Sequence, residues 1–207
     1  MSTGTLRLAS AALVVVLLAA ALGAQAYIDS SRSSEREVTA ALGDTAYAYL
    51  VGLRKFAAYV AWARLDEQWD EYYAFKPEGL GAAQFMLPTF ALVTWLDHDF
   101  VEAYYTGPWI LRRSGLTQEA YELAEEGLRY NPDAGILIAQ MCQFEYLDGD
   151  MKAAYEYALD GLSEDVVWKD GAEKFEGYGV FRAVFEEVGD QEHLELVVSE
   201  MERLRGE

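Results

Sequence analysis

A repeated interval of 34 residues is the feature that most constrains how this chain can fold. Four pairs of residues share it: Gly115 and Gly149, Ala120 and Ala154, Gly127 and Gly161, and His98 and Pro132. Between these positions apolar side chains recur every three or four residues, which predicts helices rather than strands. Glycine suits a tight turn, and the alanines that follow allow two helices to lie close together. The sequence therefore predicts an all-α chain built from helix pairs.

The composition agrees with packed helices and limits the classes of partner. Hydrophobic residues make up 52% of the chain and aromatic residues 14%, whereas only 4 prolines are present. This mixture supplies a substantial core and suits helices better than a turn-rich β-sandwich. The formal net charge of −19 repels a phosphate backbone and an anionic membrane surface. We therefore expect no nucleic-acid binding, and attachment to a membrane only through an apolar segment.

A helix-turn-helix unit that recurs every 34 residues is typical of the tetratricopeptide repeat, and the chain resembles that family. The resemblance is closest over 101–134 and 135–168. A third unit over 169–207 fits when six extra residues are allowed after Leu162, and a degenerate unit falls within 38–100. The resemblance implies an antiparallel helix-hairpin α-solenoid of about three to four units, preceded by an amino-terminal hydrophobic helix. One hairpin cannot bury both of its faces, so neighbouring units must stack.

Residues 1–26 have the order of an export signal. From Leu8 to Ala26 there are nineteen uncharged residues, and the segment ends in the small-x-small triplet Ala24-Gln25-Ala26. A cleaved signal peptide and a retained membrane anchor both fit this pattern. In either case we expect an extracytoplasmic protein, which is either anchored through residues 8–26 or secreted after cleavage at Ala26. Residues 27–37 are predicted to be a polar spacer.

Residues that commonly carry chemistry are few. The chain has one cysteine, Cys142, among apolar neighbours, and we interpret it as a core residue. His98 falls where a repeat unit ends and His193 falls near the start of the last helix, so we interpret both as turn or surface residues. Asp148-Gly149-Asp150 coincides with a predicted turn and lacks the later acidic residue of a calcium loop. We expect no catalytic site, no metal site and no cofactor.

A binding surface is the better-motivated hypothesis. In the family that the chain resembles, the first helix of each unit lines a concave face, and its positions correspond here to the following residues: Glu102, Tyr105, Trp109, Arg112 and Arg113 in one unit, and Ile136, Ala139, Gln143, Tyr146 and Leu147 in the next. Arg112 and Arg113 beside two aromatic side chains suit a carboxylate or an acidic peptide. Alternatively, the two arginines offset neighbouring acids while the aromatic side chains pack between units. We select Tyr105, Trp109, Arg112, Arg113, Gln143 and Tyr146 as the candidate contact residues.

An aromatic band also recurs in the amino-terminal part, and it allows two interpretations. Its members are Tyr47, Tyr49, Phe56, Tyr59, Trp62, Trp69, Tyr72 and Tyr73. The band is either a docking face for another protein or the amino-terminal core of the helical stack, and we favour the core. The sequence as a whole predicts a non-catalytic scaffold that binds a protein or peptide partner. The alternative is a structural subunit of a larger membrane-associated or extracellular complex, which packs through its first helix and this band.

Overall fold

A computed structural model describes residues 38–65 and 80–206 of the chain. Within these ranges the fold is all-helical, with eight helices and no strand, so the predicted class is confirmed there. The helices are α1 (Val38–Ala63), α2 (Leu80–Leu96), α3 (Val101–Arg113), α4 (Thr117–Tyr130), α5 (Gly135–Asp148), α6 (Met151–Asp160), α7 (Gly171–Val188) and α8 (Gln191–Arg205). The predicted export signal over 1–26 and the spacer over 27–37 lie outside these ranges.

The chain divides into two units between Phe56 and Ala57, within α1. In the first unit, Tyr47, Tyr49 and Phe56 are exposed, with Tyr49 at 77% of its full accessible surface. The expectation that the aromatic band is core is therefore wrong for these side chains and for Tyr59, which is also exposed. Trp62, in the second unit, does join a core cluster. The other three members of the band lie outside the described residues. None of the described helices is long and apolar enough to cross a membrane.

The second unit begins with a cluster that joins the end of α1 to α2 and α3. Phe90 is fully buried in it and lies edge-on to Trp62, with 5.7 Å between the ring centroids. α2 spans Leu80–Leu96, so Pro88 lies in the middle of the helix. Pro88 is exposed, and it lacks the N–H that would donate to the preceding turn of the helix.

Three helix pairs follow, and consecutive helices pack together within each: α3 with α4, α5 with α6, and α7 with α8. Each first helix ends at a glycine with positive φ, namely Gly115, Gly149 or Gly189. These glycines are 34 and 40 residues apart, which are the predicted interval and the same interval lengthened by the six extra residues of the third unit. The first helices also pack side by side, α3 against α5 and α5 against α7. This arrangement is compatible with a helical repeat.

Small residues bring the helices of the stack close together, as predicted. Ala120, Ala124, Ala154 and Ala158 are all buried. Gly127 lies against Tyr104 of the preceding helix, and a Cβ at that position would come within 2.7 Å of the tyrosine Cβ. A Cβ on Gly161 would overlap the ring of Phe181. Any larger side chain at these glycines would push the two helices apart.

The connection between α6 and α7 spans residues 161–170, six residues more than the α4–α5 connection at 131–134, and it contains the predicted insertion. Val167 binds the α4–α5 connection through two backbone hydrogen bonds: its N–H donates to the Asp133 carbonyl at 2.7 Å, and its carbonyl accepts from the Gly135 N–H at 2.9 Å. The ring of Trp168 covers Gly135 and Gly177. The longer connection is therefore fixed to the stack rather than looped away from it.

Candidate partner-binding surface

The six predicted contact residues lie on two helices that pack against each other. Tyr105, Trp109, Arg112 and Arg113 are on α3, and Gln143 and Tyr146 are on α5. We call the side of the stack formed by α3, α5 and α7 the first-helix surface. Arg113 is the exposed member of the six, whereas the other five are half-buried. The Arg113 side chain forms no hydrogen bond or ion pair among the described residues.

Arg112 is already engaged within the chain. Its guanidinium forms a bidentate ion pair with Asp148 at the end of α5, with 2.9 Å between Nη1 and Oδ2. Asp148 also accepts a hydrogen bond of 2.9 Å from the Tyr121 hydroxyl. The hydrogen bonds from Arg112 hold the pKa of Asp148 below its usual range. The guanidinium therefore joins the first helix pair to the second, and a carboxylate of a partner would have to displace Asp148 to reach it.

The aromatic neighbours of Arg112 pack between the same two pairs. The guanidinium lies over the ring of Phe144, 5.0 Å from its centroid. Trp109 and Tyr121 meet that ring edge-on, with centroid distances of 4.8 and 5.4 Å. Phe144 is fully buried, so this group of rings contributes to the core between the pairs. The geometry agrees with the interpretation in which the arginine offsets acids and the aromatic side chains pack between units.

Tyr105 and Glu102 connect α3 to residues that come much later in the chain. The Tyr105 hydroxyl donates to Glu176 of α7 at 2.6 Å. Lys169, in the α6–α7 connection, forms an ion pair of 2.8 Å with Glu102. Burial raises the pKa of Glu102, but the hydrogen bond from Lys169, a backbone hydrogen bond and the positive charge of Lys169 together outweigh it, so the pKa is lowered. The first contact joins the first pair to the third, and the second joins the first pair to the α6–α7 connection.

The interior of this surface contains a buried glutamine that bonds to the backbone of α3, one turn before a proline. Pro108 lies within α3, where it lacks the N–H of a regular helix and disturbs the hydrogen bonds of the preceding turn. Gln140 of α5 donates through Nε2 to the carbonyl of Tyr105 in that turn. The side chain is only 1% exposed, and its Oε1 has no hydrogen-bond partner among the described residues. A buried amide of this kind costs stability but fixes how α5 lies against α3.

Two positions of the wider predicted set are not on the surface. Ile136 and Ala139 of α5 are 5% and 2% exposed, so the expectation that they face a partner is wrong. Ala139 faces Gly177 of α7, and the Trp168 ring packs between α7 and the start of α5. Sequence reasoning missed the residues that cover this region, Trp168, Lys169 and Glu176. The available signal was the apolar run Val166-Val167-Trp168 inside an insertion.

The remaining open part of the first-helix surface is acidic. A cavity of about 270 Å³ there is bordered by Glu102, Glu173, Glu176 and Lys169, with Tyr105 beside them. Burial raises the pKa of Glu173, and the neighbouring carboxylates of Asp170 and Glu102 act in the same direction. Because Arg112 is paired with Asp148, Arg113 supplies the exposed positive charge near the other end of α3.

The three side chains considered for chemistry have structural partners. Burial raises the pKa of the fully buried Cys142 thiol to about 12, and the thiol contacts the Ala154 carbonyl at 3.2 Å. His98 is half-buried and stacks on Tyr130, with 4.0 Å between the ring centroids, so it is packed rather than simply solvated. His193 lies 2.7 Å from Asp190, whose carboxylate caps α8. These contacts suit packing and capping rather than catalysis.

Comparison of the chain with protein-family models, with curated proteins and with solved structures gives no match.

Proposed function

We propose that the chain is a non-catalytic interaction scaffold of the tetratricopeptide type that binds a protein or peptide partner on its concave face, the first-helix surface. The observation that carries this proposal is the side-by-side packing of α3, α5 and α7. Such packing gives neighbouring helices whose half-buried side chains form one continuous surface. The proposed contact residues are Arg113, Gln143 and Tyr146, because all three are half-buried or exposed. The guanidinium of Arg113 also has no ion-pair partner among the described residues.

The proposal includes an extracytoplasmic setting. The support is the apolar stretch from Leu8 to Ala26, which is followed by polar residues and then by the helical domain. Amino-terminal sequencing of the mature protein tests whether the stretch is removed. A start at Tyr27 indicates a secreted domain, whereas retention of residues 8–26 in the membrane fraction indicates an anchored one.

The binding surface is tested by site-specific crosslinking in membranes. A photo-crosslinking amino acid at Gln143 should give one defined adduct with a partner protein. The same amino acid at Glu122, an exposed position of α4, should not. Arg113→Glu should reduce the Gln143 adduct by about tenfold, because it reverses a charge that is exposed at the surface. Arg129→Glu is the matched control, since Arg129 is also exposed but belongs to α4.

The crosslinking experiment also has an outcome that contradicts the proposal. If the Gln143 adduct is unaffected by Arg113→Glu, or if Arg129→Glu reduces it equally, the first-helix surface is not the contact. Arg112→Glu is unsuitable as a first test because it breaks the ion pair with Asp148 and so disturbs the stack itself. Far-UV circular dichroism of each variant verifies that helicity is retained.

A structural subunit of a larger complex is the second candidate, and exposed apolar residues of α1 and α2 favour it. Tyr47 and Tyr49 are exposed on α1, and Leu92 and Trp95 are exposed on α2. In the 34-residue register, Trp95 of α2 corresponds to Arg129 of α4, and Ala91 corresponds to Glu125. The positions of α2 that correspond to these charged residues of α4 are therefore apolar. Native mass spectrometry of the solubilised protein, before and after Leu92→Lys, tests this candidate, because a stable assembly through α2 should dissociate.

A further inference from the structure

A groove beside the long α6–α7 connection is independent of the first-helix surface. It has a volume of about 550 Å³, within the range of ligand sites. It is bordered by the end of α4, by α6 and by the connection itself. We call it the connection groove. The α4–α5 connection, at 131–134, also borders the groove, through Pro132 and Asp133.

The lining of the connection groove is apolar at its floor. The floor is formed by Leu128, Ile138, Tyr157 and Val166. Of these, Leu128, Tyr157 and Val166 are half-buried. Ile138 is buried and belongs to the core of the second pair, so the floor continues directly into that core. Covering apolar surface that is partly exposed to water with another apolar side chain is favourable, because it removes that surface from water.

Three carboxylates stand at the rim of the connection groove. They belong to Asp133, Asp160 and Asp165, all of which are exposed. None of the three forms an ion pair with a Lys, Arg or His side chain among the described residues. The rim therefore carries three unneutralised negative charges around an apolar floor.

The groove is held open by backbone hydrogen bonds. Val167, next to the floor residue Val166, is bonded to the carbonyl of Asp133 and to the N–H of Gly135. The N–H of Val166 donates to the Ser163 carbonyl at 3.2 Å. Because these bonds fix both walls, a ligand does not have to order the connection when it binds, which lowers the entropic cost of binding.

We propose that the connection groove binds an extended segment of a partner protein in which lysine or arginine alternates with aliphatic residues. The aliphatic side chains would cover Leu128, Tyr157 and Val166, while the basic groups would meet the rim carboxylates. Charge complementarity selects this occupant over an acidic segment, which the rim would repel. Arg113 and the rest of the first-helix surface take no part in the site.

The test uses the full-length chain and three capped pentapeptides as probes: Arg-Leu-Arg-Leu-Arg, Glu-Leu-Glu-Leu-Glu and Arg-Ser-Arg-Ser-Arg. Isoleucine, leucine and valine methyl groups of the protein are isotopically labelled and followed by NMR. The first peptide should shift the methyl signals of Leu128, Ile138 and Val166 in a saturable manner. The acidic peptide should shift none of them, and the serine peptide should bind at least several-fold more weakly.

A charge-matched pair of variants separates a specific groove from general attraction to an acidic protein. In the first variant, Asp133, Asp160 and Asp165 are changed to Asn, and the affinity for the arginine-leucine peptide should fall about tenfold, because three exposed ion pairs are lost. In the second, the exposed Glu119, Glu122 and Glu125 of α4 are changed to Gln, and the affinity should stay within twofold. Arg113→Glu should also leave it unchanged, which keeps this test separate from that of the first-helix surface.

Three outcomes overturn the proposal. The first is an equal loss of affinity in both triple variants, which would show general attraction only. The second is a methyl shift by the peptide at sites remote from the groove. The third is a response of the Leu128 and Val166 signals to Ca²⁺ alone at sub-millimolar concentration, which would make the rim a cation site rather than a peptide groove.

Discussion

The second helix pair, α5 and α6, and the third pair, α7 and α8, share the same turn geometry. They differ in how far their outward residues are buried. In each, the first helix ends at a left-handed glycine, Gly149 with φ 84° and Gly189 with φ 77°. In each, the next residue is an aspartate that accepts a hydrogen bond from a backbone N–H in the first turn of the second helix, Asp150 from Ala153 and Asp190 from His193. The interval of 40 residues thus aligns the two pairs position by position.

The aligned positions that face the following pair have changed in character. Cys142 and Ala158 of the second pair are fully buried in the core cluster that receives α7. Their counterparts 40 residues later are Arg182, which is exposed, and Val198, which is half-buried. The half-buried Tyr146 is likewise replaced by the exposed Glu186. The two pairs therefore share the turn that sets their backbone, whereas the aligned positions that are buried in the second pair are exposed or only half-buried in the third.

The strongest test of this difference places arginine at the two aligned positions of the second helices. Ala158→Arg should destabilise the fold by more than about 4 kcal/mol, because it forces a charge and a long side chain into the packed core. Val198→Arg should cost within about 1 kcal/mol, because the guanidinium can reach water. Urea unfolding followed by circular dichroism measures both. Equal effects at the two positions would show that the outer face of the third pair is also packed.

A smaller effect is expected from two glycines of α7 that are two residues apart. Gly177 faces the second pair, where a Cβ would overlap the Trp168 ring and come within 3.3 Å of the Ala139 Cβ. Gly177→Ala should therefore destabilise the fold by roughly 1–3 kcal/mol. Gly179 is half-buried and faces α8, where a Cβ would meet the Met201 methyl at an ordinary 3.9 Å.

The matched variant Gly179→Ala should be neutral, or stabilising by up to about 1 kcal/mol, because alanine favours a helix over glycine. The denaturant midpoints of the two variants should consequently move in opposite directions from that of the parent chain. A loss of stability of similar size in both would contradict the difference in space around the two glycines, which leaves room for a Cβ at Gly179 and none at Gly177.

The sequence predicted those features that depend on local spacing. The all-helical class, the turns at Gly115 and Gly149, the buried alanines and the place of the insertion all follow from periodicity and turn chemistry, and the structure confirms them. The position of Pro88 in the middle of α2 does not follow from spacing, because a proline in a helix interior removes a hydrogen bond and crowds the preceding turn.

The candidate surface was predicted less well, because contacts between helices depend on rotation and on connection length. Periodicity places Arg112 on one face of α3, but it does not reveal that Asp148, 36 residues later, lies within reach. Ile136 and Ala139 correspond to surface positions in the family that the chain resembles, yet both are buried here, and the extra residues of the α6–α7 connection bring Trp168 against the adjacent Gly135 and Gly177. Whether Arg113, Gln143 and Tyr146 contact a partner stays a prediction.

The smallest expected effect concerns an ion pair that joins the helices of the third pair. Lys174 of α7 lies 2.6 Å from Glu200 of α8, and 40 residues earlier the aligned positions hold the buried Ala134 and the exposed Asp160. Among the described residues, no ion pair joins α5 to α6. The hydrogen bonds from Arg203, followed by those from Lys174, lower the pKa of Glu200 to about 2.

Glu200→Gln should therefore reduce stability at pH 7 by less than about 1 kcal/mol, since the pair is partly exposed. The folded-state pKa is lowered, so the contribution of Glu200 is fully present above its ordinary pKa of 4.5 and is lost as the pH falls from there towards 2. The difference in urea midpoint between the parent and the variant should shrink over that window. Glu202→Gln, at an exposed position of α8, should leave the midpoint unchanged at every pH. A difference that persists at pH 2 would mean that Glu200 stabilises the third pair through packing rather than charge.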